Sequence, residues 1–516
     1  MKMVMGKDAI RGSAPDILYD ESRFSAGVPS ALYYPETESD IREALVAASR
    51  ERKPVCLIGG QTGITGGAAP SDDSVAISFA HMHSALRVID DSAFGTTLIC
   101  QPGVTLAHIA ELLEAPHDAA YAVEGLDSLE AGRWMYPPDP TEMTAQLGGT
   151  VATNASGARS FRHGPTRNHV VSARIALAGG DTIALRRGAV RCTAGGSEIT
   201  TEQGARIAIP PLTYASPAVK NASGLYAAPD MDLLDLFIGS EGTLGVFTEI
   251  GVRLSPAAPL IGGLSFFDSR DGAFRFAEFL RDQRQVEAIE YFDATALGFI
   301  EQYKQDISLK LPAMPAAEAA LFWEYAETAD APFEDVMESW EERLTACDSS
   351  FDQTWSGFEP DEQQRLKVFR HAVPELVNFK IAQFKRETPA IRKIGTDTAV
   401  PGSAFAGLFS LYRDLIARHN LLSVVFGHLG DYHLHFNLLP RTEAELRTCL
   451  SVYGDMMEAA IERGGTVSAE HGVGKIKTAY LEKMYGAAAV AQMRAVKLSL
   501  DPDWRLNPGN LFSTRH

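Results

Sequence analysis

From His433 to Leu438 the chain alternates strictly between polar and apolar residues, within the segment Gly427-His428-Leu429-Gly430-Asp431-Tyr432-His433-Leu434-His435-Phe436-Asn437-Leu438-Leu439. A period of two marks an extended strand whose successive side chains leave opposite faces. Leu434, Phe436 and Leu438 therefore read as the core side. His433, His435 and Asn437 line the other face, and His428 returns toward it across the Leu429-Gly430-Asp431 turn. About one helix later comes Ser468-Ala469-Glu470-His471-Gly472-Val473-Gly474-Lys475. Imidazoles and a carboxylate on glycine-flanked backbone are donors suited to a divalent metal with an adjacent base. A lone histidine is more often a satisfied polar residue, but two histidines, a glutamate and a further histidine together are the ingredients of a metal site.

The 516 residues exceed one ordinary core, so two or three domains are expected. With 47 basic against 66 acidic residues the net charge is −19, which argues against nucleic acid as a partner. Cys56, Cys100, Cys192, Cys347 and Cys449 are scattered, odd in number and form no CxxC. Neither a disulfide framework nor an iron–sulfur cluster is supported, and buried reduced thiols are expected. The first 24 residues carry four acidic groups and no apolar core, unlike a targeting peptide. With no apolar run of about 18 residues, no membrane span is expected. The expected compartment is a reducing cytoplasm, with peripheral contact at the inner membrane left open.

Residues 30 to about 255 read as short strands alternating with helices. Ser39 is placed to cap a helix bearing Ile41, Leu45 and Ala48. Strands are expected at Val55–Ile58, Val75–Ile77, Thr97–Cys100 and Arg174–Ala178, and segment 186–230 reads as an irregular or hairpin insertion. From 258 the pattern changes to a strand at Ile261–Phe267, a helix at Gly272–Arg284 and a strand at Val286–Phe292. Long helices are expected over 315–345, 361–385 and 403–419, packed on one face of the strands. The domains are thus an N-terminal segment 1–29, a unit at 30–257, a second at 258–465 and a terminal segment 466–516.

Three separated segments are rich in glycine and small residues: Gly59-Gly60-Gln61-Thr62-Gly63-Ile64-Thr65-Gly66-Gly67, then Pro137–Thr141 with Leu147–Gly157, and Gly239–Val246. Glycine lets backbone approach a phosphate, and successive N–H groups form an anion nest. The spacing is neither the dinucleotide GxGxxG nor a P-loop. One such segment is ordinarily just a turn; three suggest one extended cofactor.

Together these motifs resemble the FAD-binding oxidoreductase/transferase type 4 family of the vanillyl-alcohol-oxidase superfamily. Within it, the His strand and the Glu-His cluster are similar to the branch of D-lactate dehydrogenase, the flavin-binding chain of glycolate oxidase, and D-2-hydroxyglutarate dehydrogenase. The resemblance spans about residues 30–512. It implies an α+β, two-domain protein: a PCMH-type FAD-binding fold with a C-terminal α+β cap (substrate) domain. By position it implies non-covalent FAD against Gly59, Gly60, Gln61, Thr62, Gly63, Thr65, Gly66, Gly67, Pro138, Asp139, Thr141, Gly148, Gly149, Thr153, Asn154 and Gly157. His163 and Gly164, where the family commonly has Tyr-Gly, are added to that set, with Glu241, Gly242 and Asn507. His428, His435 and Glu470 match the metal ligands, and His471 the catalytic histidine.

The family pattern His-x-Gly-Asp-Gly-Asn-x-His is altered here, where Tyr432-His433 replaces Gly-Asn. That leaves His433 as a substrate contact or a fourth metal ligand. Arg370, ahead of a strand-like Pro374 segment, and Lys393 resemble substrate-carboxylate anchors, and Asn437 would bond the substrate. The implied reaction is oxidation of a D-2-hydroxy acid, D-lactate foremost, to the 2-oxo acid. The metal would be zinc, with manganese or iron as alternatives, and His471 the base. Electrons would pass to a separate quinone, cytochrome or electron-transfer flavoprotein. A homodimer is left open. The alternatives are an alkyl-glycerone-phosphate synthase-like transferase and a non-catalytic FAD-binding subunit of a glycolate oxidase complex.

Overall fold

The computed structural model describes residues 1–25, 27–305 and 310–513. The chain divides into two compact units, Met1–Ser156 with Gly164–Ala257 and Val467–His516, and Gly157–His163 with Ala258–Thr466.

The first unit holds a mixed four-stranded sheet in the order Lys2–Met5, Ala31–Tyr34, Val75–Ser78, Val55–Ile58. Its last three strands are parallel. The helix Glu38–Glu51 buries Ile41, Leu45 and Ala48, as their spacing requires. Its cap is Thr37, two residues earlier than Ser39. Thr37 accepts from the Asp40 amide while the Asp40 carboxylate receives the Thr37 amide, a reciprocal box that a Ser39 cap cannot form. A second sheet is antiparallel, in the order Ala85–Asp91, Gly95–Cys100, Val246–Arg253, Val170–Ala176, Thr182–Arg186. Segment 186–230 contains one hairpin, Ser197–Thr200 with Arg206–Ile209.

The C-terminal helix Thr478–Leu500 returns to this core, where Leu481, Met493 and Val496 pack with Leu98, Ile175 and Leu234. The chain then runs beside Val55, whose amide donates to the Arg505 carbonyl and whose carbonyl receives the Asn507 amide. Lys497 holds this turn. Its ammonium donates to the Thr243 carbonyl (2.8 Å), the Leu506 carbonyl (3.0 Å) and Asp501 Oδ2 (2.8 Å). Burial pulls its pKa down while Asp501 opposes the shift. Removing one member of a buried pair strands the other charge, so Lys497→Met is expected to cost about 3–5 kcal/mol. The urea midpoint measures this; a loss below about 1 kcal/mol would mean water replaces the ammonium.

The second unit is built on a seven-stranded antiparallel sheet. Its order is Thr354–Gly357, Leu260–Phe267, Ala319–Ala326, Val286–Asp293, Ser423–His428, His433–Leu438, Ile394–Gly395. Helices cover both faces rather than the one expected. Phe276, Phe405, Phe409 and Val452 pack on one side with Leu434, Phe436 and Leu438. Leu297, Ile300, Phe369 and Leu376 pack on the other with Ala288 and Phe292.

Two expected elements are corrected. Within 315–345, Ala319–Ala326 is a strand and only Glu334–Thr345 is helical. Ala, Leu and Glu in that run favour a helix, but Phe322, Trp323 and Tyr325 are buried between two neighbouring strands, and packing overrides propensity. Arg370 and Pro374 lie inside the helix Pro360–Lys385, not before a strand. Proline cannot donate to the carbonyl four residues back, here that of Arg370, and the surrounding Phe369, Val373 and Val377 contacts hold the helix together. The five cysteines are free thiols, four of them buried. Among the described residues, no helix is long and apolar enough to cross a membrane.

Candidate active site

In the second unit the strands Ser423–His428 and His433–Leu438 form a hairpin in which His428 lies directly opposite His433 and Phe426 opposite His435. Opposed residues share a face, and so do residues two apart, so register alone gathers His428, His433 and His435. Their ring centroids are 5.6 Å (His428–His433), 5.8 Å (His428–His435) and 4.5 Å (His433–His435) apart. Tyr432 turns the hairpin with φ +54°, a left-handed conformation that costs a bulky residue about 1–2 kcal/mol. Its ring is held by Arg281, 3.8 Å from the centroid, and its hydroxyl by Glu278 at 3.0 Å.

Each imidazole is oriented from outside. His428 Nδ1 meets Glu290 Oε1 at 2.5 Å, and Glu290 lies directly across from it on the neighbouring strand. His435 Nδ1 is 3.1 Å from the Thr396 carbonyl. A carbonyl can only accept, so Nδ1 carries the proton and Nε2 the lone pair. His433 Nε2 lies 3.2 Å from Asp397 Oδ1, both residues fully buried. Such outer partners fix tautomer and ring angle at metal-binding histidines.

Arg370, expected to face substrate, places Nε 3.3 Å from Glu290 Oε2 and is largely buried. Asn437 is buried and donates to the His435 carbonyl. Lys393 is half-buried at the start of the sheet-edge strand Ile394–Gly395, which pairs with Leu438 and Asn437. Gly157 and His163 also group with this unit, apart from the other cofactor candidates, and His163 Nε2 contacts Glu287.

In the first unit Glu470 and His471 sit on a turn built by glycine. Gly472 and Gly474 have φ +80° and +52°, and a Cβ on Gly474 would lie 2.1 Å from the Thr65 carbonyl. Glu470 Oε2 is 2.8 Å from the buried Lys220 ammonium, and Glu470 Oε1 is 3.4 Å from His471 Nε2. Glu241 clamps the same turn: its two carboxylate oxygens receive the Val473 amide (2.6 Å) and the Gly474 amide (2.8 Å). Burial pushes its pKa up to about 7, against the two amides and the charges of Lys475 and Lys477. Lys475 in turn donates to the Gly66 carbonyl (3.0 Å) and Asn510. The Asn507 side chain bridges the Leu57 amide and the Glu241 carbonyl.

The first and third glycine segments therefore meet the chain's last turns within one unit. Gln61, Asn154, Glu241 and Asn507, all expected at the cofactor, adopt left-handed backbone, which clusters at functional sites. Gly148 packs so closely that a Cβ would lie 2.6 Å from Pro102, while the space beside Gly63 and Gly149 is open. Two buried side-chain oxygens in this region, Gln146 Oε1 and Ser156 Oγ, have no hydrogen-bond partner among the described residues. An acceptor and a hydroxyl in want of partners, beside bare backbone, fit a polar, phosphate-bearing cofactor. Pro138 is buried, Asp139 half-buried and Thr141 exposed; Thr153 bonds back to the Gly149 carbonyl, and Gly164 packs on Asn168.

Sequence reasoning missed Glu290, Asp397 and Lys220. Glu290 is one of three acids in the strand Val286–Asp293 and, like Lys220 in its irregular polar segment, carried no distinguishing signal.

Residues 29–128 and 126–186 match the FAD binding domain, and residues 261–511 match the C-terminal domain of FAD linked oxidases. Glycolate oxidase subunit GlcD of Bacillus subtilis is 28% identical over 500 residues, covering 96% of this chain and 91% of that protein. D-2-hydroxyglutarate dehydrogenase of Xanthomonas citri pv. viticola is 27% identical, covering 94% and 90%. The mitochondrial D-lactate dehydrogenase [cytochrome] of Arabidopsis thaliana is 27% identical, covering 95% and 74%. Among solved structures, an alkyldihydroxyacetonephosphate synthase shares the fold with a TM-score of 0.62 at 16% identity, over 93% of this chain and 76% of that one. With an FAD binding domain followed by the C-terminal domain of that group, the chain belongs to the FAD-linked oxidases.

Proposed function

We propose that this oxidoreductase converts a D-2-hydroxy acid, D-lactate foremost, to the 2-oxo acid and passes the electrons to a separate quinone, cytochrome or electron-transfer flavoprotein. The observation that carries the reading is the trio of oriented imidazoles on one hairpin face, in a chain with an FAD binding domain. The names of the relatives, which include glycolate, D-2-hydroxyglutarate and D-lactate enzymes, support the substrate class.

His428 and His435 are the proposed ligands of a divalent cation, zinc foremost, with Glu470 as a further one; imidazole and carboxylate suit zinc, manganese or iron. Bound FAD supplies a two-electron oxidant, and the cation supplies charge that lowers the pKa of a ligated hydroxyl. His471 takes the 2-hydroxyl proton at a ring nitrogen, as a general base does. Arg370 and Lys393 hold carboxylate charge, and Asn437 bonds the substrate's oxygen. Arg370 acts from its bond to Glu290, which also fixes His428, so one acid ties the anchor to the ligand.

Anaerobic addition of D-lactate, glycolate or D-2-hydroxyglutarate is expected to bleach the flavin absorbance, with turnover to an artificial acceptor abolished by EDTA. A flavin left oxidised by all three would favour the transferase reading, or that of a non-catalytic partner, instead.

A further inference from the structure

The alternation in the hairpin does more than present two ligands. His433 stands directly across from His428 and two residues before His435, so all three imidazoles belong to a single face of a single hairpin. One ring nitrogen from each lies within 4.8 Å of one from each of the others.

We infer that His433 is a third imidazole ligand, joining His428 and His435 at the proposed metal site. The inference rests on the metal-assisted reading above. Asp397 is the positioning residue for His433: at 3.2 Å from Nε2 it favours protonation there and directs the opposite nitrogen, Nδ1, to the metal. Glu290 and the Thr396 carbonyl do the same for His428 and His435 through their Nδ1 atoms, so each ligand has its own outer partner. Neutral imidazole donors would leave more of a divalent ion's charge at the site than further carboxylates would. The plainer alternative is that His433 and Asp397 form a buried structural pair with no part in binding an ion.

Calorimetric titration of the chelator-stripped flavoprotein with Zn²⁺ separates the two, because it reads affinity without activity. The wild type is expected to take one Zn²⁺. His433→Asn keeps an amide donor for Asp397 but removes the imidazole, and is expected to weaken binding by more than about 100-fold. Retention of Zn²⁺ at wild-type affinity by His433→Asn overturns the inference and leaves the proposed reaction standing. A wild type that takes no Zn²⁺ overturns both. If His433→Asn loses its flavin or its far-UV signal, Asp397→Asn decides: weakening by about 10–100-fold supports the ligand role, and unchanged affinity overturns it.

Discussion

Replacing His471 with alanine is expected to lower kcat by about 10³-fold while the protein keeps its flavin. A positioned general base contributes about 10²–10⁴-fold, and the lower end applies when water can enter the space left behind. The backbone at His471 does not depend on its side chain. The turn is held by Glu241 on the Val473 and Gly474 amides, by Ser468 Oγ donating to the Gly472 carbonyl at 2.6 Å, and by the left-handed glycines. The imidazole is about one-quarter exposed, so its loss opens no large cavity. Flavin content, KM and kcat measured together check the assignment. A variant that releases its flavin would move His471 from the proton-transfer role to a cofactor contact, and one with unchanged kcat would remove it from the reaction.

Glu241→Ala is expected to cost about 2–4 kcal/mol at pH 6, because truncation leaves two buried backbone amides without acceptors at about 1–3 kcal/mol each. The same carboxyl makes stability depend on pH. Its folded pKa of about 7 lies above the ordinary value of 4.5, chiefly through burial. Between those values the folded chain holds a proton that the unfolded chain releases. The Glu241 contribution is therefore fully present below about pH 4.5, falls as pH rises, and levels off above about 7, a span of about 3 kcal/mol. Glu241→Gln cannot ionise, so the difference between its urea midpoint and that of the wild type should shift over this window. A constant difference from pH 5 to 8 would mean that Glu241 is ionised throughout, stabilised by its two amides and by Lys475 and Lys477.

Glu241 also marks where reading by position stops. The small-residue run Gly239–Val246 points to the cofactor, whereas the Glu241 carboxylate holds the turn carrying Glu470 and His471. Nothing in that run discloses a partner more than 230 residues away. The expected helix over 315–345 fails for a related reason: Ala319–Ala326 has helix-compatible residues, and only burial between two strands makes it extended. Arg370 meets the same limit. Pro374 suggests extended chain after it, yet a proline inside a well-packed helix is tolerated where a solvent-exposed one would break it.

Local chemistry was legible wherever a pattern repeats within a few residues. The alternation His433 to Leu438 prescribed a strand, its buried face and the polar face opposite. The glycine segments announced close backbone approach, and the spacing of Ile41, Leu45 and Ala48 a helix. Those consequences follow from backbone geometry alone and need no partner. Tertiary structure decided everything that depends on what lies across from a residue. It set Glu290 beside His428, Asp397 beside His433 and Lys220 beside Glu470, and it wedged Lys497 under the final turn. Buried charges must be paired, and the chain pairs them between segments far apart in sequence, so each partner becomes visible only once the sheets have formed.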